Sequence, residues 1–212
     1  MSFATSIIHG AKSIGTPIED STYWVSDLVK YIQDNNHLAI GYYWSGKTIE
    51  SCSMSIIKKY AEHLFDLSLG GQRQVNIYAK SLGVVIAEKA ISYLYDNHRP
   101  IDINKFIRVG SPISRNAFCK DLGFKNINIQ SSSDCLCLLG RIVIEPFCCT
   151  SFIKNKKITS SIRINELSHS DFNCSEKKVS LLTSEVVTLF ELYKRLLERN
   201  INIHEKQIYK IA

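Results

Sequence analysis

Long apolar runs are missing from this sequence. None approaches the roughly 18 residues that a membrane-crossing helix needs, so a helical span is excluded. The opening stretch, MSFATSIIHGAKS, lacks a basic start followed by a long apolar core, and no Sec-type signal is expected. No P-loop and no G-x-G-x-x-G occurs, which removes the usual phosphate-cradling loops. Zinc spacing is absent too. The seven cysteines fall as C-L-C at 135–137, C-C at 148–149 and three singles (Cys52, Cys119 and Cys174), without a partner C-x-x-C, so no metal site is expected. They read as buried, reduced thiols. Lys and Arg are scattered, with Lys154, Lys156 and Lys157 the densest group. A net charge of +6 without a basic stripe argues against nucleic-acid binding and allows weak contact with an anionic membrane surface.

What is present is ordinary for a globular protein. The chain has 212 residues, 45% hydrophobic and 22% charged, enough for a single domain over 1–212 with a sizeable core. No repeat or long linker interrupts it. Reduced thiols and the missing signal point to a cytoplasmic protein, and oligomeric state is not readable.

Hydrophobic periodicity predicts strands alternating with helices. Strands are expected at Phe3–Ile8, in HLAIGYYW (37–44), at Gln74–Lys80, Lys105–Val109, Lys125–Gln130 and Ile158–Ile164. Helices are expected after an Asp20-Ser21 cap, over Ser51–Leu69 and Ser81–Tyr95, in a short piece at Arg115–Leu122, and over a long Val179–Glu198. Such alternation implies an α/β fold: a mostly parallel sheet with helices on both faces. Function in these sheets collects at the carboxyl ends of the strands. The residues there are His9-Gly10, Trp44-Ser45-Gly46, Ser81, Gly110-Ser111-Pro112, Asp134 and His169. They include one nucleophile, one carboxylate and one imidazole, in the order Ser, Asp, His.

Each has a competing structural role. Ser81 suits a helix cap, and Asp134 suits a turn or cap among three serines. Asp171 suits the His169 loop, but is also a rival acid. As chemistry, a serine hydroxyl is a weak nucleophile that needs a base, and the base needs an acceptor to fix its tautomer. Small residues Ala79 and Gly83 around Ser81 let a sharp strand-to-helix turn close. Lys80 is unremarkable if it points to solvent. The N–H groups of Leu82 and Ala11 would serve as the two oxyanion donors, with Gly10 permitting close approach. Trp44 is a candidate for an acyl pocket, with Gly10 beside it; aromatic packing at a strand end is the equal alternative.

The pieces IIHG (7–10), YWSG (43–46), AKSLG (79–83), VGSP (109–112), SSSD (131–134) and LSHSDF (167–172) together resemble the small lipase and esterase branch of the α/β-hydrolase superfamily. The resemblance spans nearly the whole chain in order, with Ala replacing the first glycine of the usual G-x-S-x-G. It implies a compact hydrolase without a large cap domain, because the segment Gly110–Phe124 is short. It implies a Ser81–Asp134–His169 triad, no cofactor, and a small-molecule or lipid ester substrate cleaved through an acyl-serine. An inactive hydrolase-like scaffold that binds a partner or ligand is the alternative.

Overall fold

The computed structural model describes residues 3–12, 17–35, 37–113, 124–143, 159–180, 184–198 and 207–211. The expected Arg115–Leu122 helix, the Lys154–Lys157 group, Ile158, and Cys119, Cys148 and Cys149 lie outside them.

In chain order the elements are β1 (Ala4–Ile8), α1 (Ile18–Gln33), β2 (Leu38–Tyr42), α2 (Met54–Leu67), β3 (Val75–Lys80), α3 (Leu82–Asp96), β4 (Ile103–Val109) and β5 (Lys125–Ser131). Then come α4 (Cys135–Val143), β6 (Thr159–Ile164), β7 (Lys178–Ser180), β8 (Val186–Thr188), α5 (Leu189–Glu198) and β9 (Gln207–Ile211). The strands lie in the order β2-β1-β3-β4-β5-β6-β9-β7-β8. All pairings from β2 to β6 are parallel; β9 is parallel to β6 and antiparallel to β7, which pairs antiparallel with β8.

The chain runs outward from β1 to β2, then returns to the other side of β1 with β3. The strand order therefore reverses between β1 and β3. Helices leaving the two strands diverge there, and a crevice opens at their carboxyl ends. Ile8 pairs with Ala79 in the register, which brings His9-Gly10 beside Lys80-Ser81.

Two apolar layers cover the sheet. Trp24 and Leu28 of α1, with Leu189, Tyr193 and Leu196 of α5, pack on one face. Ile57, Tyr60 and Leu64 of α2, with Val85, Ile86 and Ala90 of α3, pack on the other. Covering both faces changes the meaning of the alternation in β3. Val75, Ile77 and Ala79 join the α2/α3 layer and Tyr78 joins the α1/α5 layer, and all six strand residues are buried. The polar positions are not a solvent face. Lys80 keeps 5% of its surface and is buried, against the expectation for a solvent-pointing side chain.

Three expectations need correction, and one helix was missed. Helix α1 starts at Ile18 behind Pro17, so Asp20 and Ser21 lie inside its first turn and not at the cap. Proline fits just ahead of a helix because its missing N–H costs nothing there. The expected helix over Val179–Glu198 is three elements. β7 and β8 pair antiparallel, Ser184 ahead of β8 has a φ of 65°, and only Leu189–Glu198 is helical. Val186, Val187 and Thr188 favour an extended backbone, and the Thr188 hydroxyl then accepts from Glu191 N–H at 3.2 Å, capping α5. Helix α4 was not expected at all. Finally, of the four described cysteines only Cys137 is buried; Cys135 and Cys174 are exposed and Cys52 is intermediate.

Candidate active site

Ser81 sits where β3 meets α3, with φ 52° and ψ −126°. A non-glycine residue on the positive-φ side costs about 1–3 kcal/mol, and the surrounding structure must impose it. Here it does. Ser81 N–H donates to Val109 O at 2.9 Å, and Ser81 O accepts from Val84 N–H at 3.0 Å. The turn has almost no spare room. A Cβ on Gly10 would lie 2.5 Å from Ser81 Cβ, and one on Gly83 would lie 2.5 Å from His9 O. Both glycines are required by close approach of β1, β3 and α3. The hydroxyl makes no capping hydrogen bond to the helix, so the cap role is not what places this serine.

Asp134 and His169 meet across the same crevice. His169 Nδ1 lies 2.8 Å from Asp134 Oδ2. Burial raises the Asp134 pKa, but the bonds from His169 and Cys137 outweigh it and hold the carboxyl below its ordinary value. An ionised carboxylate only accepts, so Nδ1 carries a proton, and it is Nε2 that holds the lone pair in the neutral form of the ring. Asp134 also takes the cap position of α4, where Oδ1 accepts from Cys137 N–H at 3.1 Å. Cys137 Sγ donates to Oδ2 at 3.0 Å. The carboxylate is thus held from three sides. Asp171, the rival acid, accepts from Ser168 N–H at 2.7 Å and ties the His169 loop together. Among the described hydrogen bonds, none joins Ser81 Oγ to the imidazole.

His9 and Trp44 lie behind the Gly10-Ala11 side of the crevice. Trp44 N–H donates to His9 Nε2 at 3.1 Å, which makes Nδ1 the protonated nitrogen, and Nδ1 donates to Gly10 O at 2.7 Å. A trans peptide points its C=O and N–H in opposite directions. Holding Gly10 O against the His9 ring therefore turns Ala11 N–H away from that ring. Burial lowers the His9 pKa to about 4, so the ring stays neutral and keeps this role near neutral pH. Trp44 stacks on His9 with centroids 5.5 Å apart and donates Nε1–H to His9 O at 2.9 Å. It is a buttress, not a pocket wall.

A cavity of about 620 Å³ joins these groups. Gly10, Ala11, Ser81, Asp134 and His169 all line it; Leu82 and Trp44 do not. Its remaining wall includes four residues absent from the sequence expectation: Tyr23, Trp24, Lys80 and Asn173. Lys80 Nζ donates to Asn173 Oδ1 at 2.6 Å and lies 5.9 Å from the Trp24 ring centroid. The one signal for Lys80 was its place beside Ser81 on a strand covered on both faces. Asp134, Cys137 and His169 also present ligand atoms within 4.8 Å of one another. With Nδ1 and the carboxylate already joined by a proton, the trio reads as a hydrogen-bonded set.

No family model matches the sequence, and no curated protein matches it. Solved structures do. An esterase named E25 superposes with a TM-score of 0.55 at 10% identity, covering 92% of this chain and 69% of the other. The chain has an α/β-hydrolase-like fold. The RedJ thioesterase of prodiginine biosynthesis in Streptomyces coelicolor (TM-score 0.47, 9% identity, 92% and 85% covered) and an arylesterase (0.44, 12%, 81% and 70%) are further matches. At such identities the likeness concerns the hydrolase-like fold alone.

Proposed function

We propose that this protein is a serine hydrolase that cleaves carboxylic esters through an acyl-serine, with Ser81 as nucleophile, His169 as base and Asp134 as its orienting acid. The observation that carries this reading is the strained Ser81 backbone at the strand-to-helix turn, in one cavity with a His169 Nδ1–Asp134 pair that leaves Nε2 free.

Nε2 accepts the Ser81 proton as Oγ attacks the ester carbonyl. The oxygen takes up negative charge and meets the N–H groups of Leu82, at the unpaired start of α3, and of Ala11. The imidazolium that forms is stabilised by Asp134 and then protonates the leaving alkoxide as the C–O bond breaks. Water, deprotonated by Nε2, attacks the acyl-serine; collapse returns the proton to Oγ and releases the acid. The residues suffice for this sequence of steps without a metal or organic cofactor. Among the described residues no helix is long and apolar enough to cross a membrane, so an ester in solution or at a lipid surface is compatible.

Ser81→Ala tests the reading. Removing one hydroxyl should abolish turnover of para-nitrophenyl esters and labelling by a fluorophosphonate probe, while the melting temperature stays near wild type. Undiminished turnover in the mutant would reject Ser81 as nucleophile. The lack of a Ser81–His169 hydrogen bond favours a second reading, an inactive scaffold that binds a ligand or partner. Wild-type protein that neither turns over esters nor takes the probe would establish that reading instead.

A further inference from the structure

Lys80 is the residue the hydrolytic steps do not use. It precedes Ser81, is 5% exposed, and lines the same cavity together with the two groups its ammonium touches, Trp24 and Asn173. An ammonium has three donors. One goes to Asn173 Oδ1, and the Trp24 ring lies to one side at 5.9 Å. Both partners are neutral. Among the described residues Lys80 has no ion-pair partner; Asp134 lies near enough to favour its charge, but is bonded to His169 and Cys137. A buried cation without an ion-pair partner is costly, and burial, only partly offset by Asp134 and Cys137, lowers the Lys80 pKa to about 8. The ammonium remains the main form at neutral pH. An isolated buried charge in a cleft is the kind of group an incoming opposite charge relieves.

Resting on the hydrolase reading, we propose that Lys80 and Asn173 form an anion subsite that selects ester substrates bearing a carboxylate or phosphate close to the scissile carbonyl. Lys80, Asn173 and Ser81 line one cavity, so an anion held by the first two shares the pocket with the reacting carbonyl. Asn173 holds the ammonium and leaves its own amide N–H₂ as a second donor. The net charge of +6 favours approach of such substrates.

The test compares mono-para-nitrophenyl succinate with para-nitrophenyl butyrate in wild type, Lys80→Met and Lys80→Gln, each checked for folding by circular dichroism. Wild type should prefer the anionic ester in kcat/KM. The variants should lose that preference by about tenfold or more, the scale of one charge-assisted hydrogen bond. Equal losses on both esters would mean that Lys80 only props the Asn173 loop, and would overturn the proposal. If neither variant folds, wild type decides: succinate must inhibit butyrate turnover competitively, and the uncharged succinamide must not. If no ester is turned over, the hydrolase reading fails separately, and binding of succinate or inorganic phosphate followed by tryptophan fluorescence decides the subsite. Saturable binding lost in a folded Lys80 variant upholds it, and no binding, or binding indifferent to Lys80, overturns it. The tighter of succinate and phosphate names the anion.

Discussion

Single atoms decide much of this site. Gly110 has φ of 54°, and a Cβ there would lie 3.2 Å from His169 Cε1 and 3.3 Å from both Nδ1 and Asp134 Oδ2. Gly110→Ala should lower stability by about 1–2 kcal/mol for the left-handed backbone and also push the pair apart. Thermal unfolding and kcat should both fall; a loss of stability with full activity would show that the pair does not depend on this gap. Asp134→Asn separates two roles of one side chain. Asparagine caps helices as well as aspartate does, so α4 should hold and the melting temperature should barely move. Its amide stabilises the wrong His169 tautomer, so turnover should drop by orders of magnitude, on the order of 10⁴-fold. If Asp171→Asn causes that loss and Asp134→Asn does not, the acid is Asp171. That Ser81, Asp134 and His169 come to one crevice was legible in the sequence, because chemistry-bearing residues after strands are few. Lys80 was not, since a lysine's environment depends on which helix covers its side of the strand, and the sequence does not state that. For Trp44 the sequence left both readings open, because an aromatic ring at a strand end packs equally well inward.

At the level of elements, α3 is held to β1 by the absence of a side chain. Alanine normally stabilises a helix over glycine by roughly 0.5–1 kcal/mol. At Gly83 the sign should reverse. The new Cβ would lie 2.5 Å from His9 O, an oxygen already fixed by Trp44 Nε1–H, and 3.0 Å from Ile8 O. Gly83→Ala should therefore shift the urea midpoint downward; a rise would mean that the strand end yields. The same logic explains why α4 was illegible. Gly140 reads as a helix breaker, yet it is there because a Cβ would meet Pro112 at 2.5 Å. Leu136, Leu139 and Ile142 face outward, so no polar stripe marks the helix surface. In the last helix the error ran the other way, because apolar residues in β7 and β8 happened to extend its period.

For the molecule as a whole, acid should be the weak direction. Burial lowers the His9 pKa from 6.5 to about 4. Between those values the unfolded chain binds a proton that the native state refuses. Stability therefore rises with pH across that window and declines on acidification, by at most roughly 1.4 kcal/mol per pH unit from this group. Burial lowers His63 in the same direction and adds to the slope. Urea midpoints at pH 7 and pH 5 should differ in wild type and differ less in His9→Asn, with His63 supplying the remainder; an unchanged difference would show that His9 is not the sensor. The alternation of strands and helices was readable at this scale, including the parallel run through β6. The β7–β8 hairpin was not, because its apolar residues continued the period of the last helix, and β9 was not, because it pairs with strands far back in the chain.

That pairing sets an order in time. Gln207 aligns with Ile162, and Ile211 with Val179, so β9 is the wedge between β6 and the hairpin. A two-stranded ribbon is marginal alone. On the ribosome, the Ser81 turn and its neighbouring strands can assemble while residues 207–211 are still in the exit tunnel. Until they emerge, β6 keeps an open edge just ahead of the loop that carries the histidine. A nascent chain stalled at that point would hold the Ser81 turn in place and would offer another chain an unpaired strand.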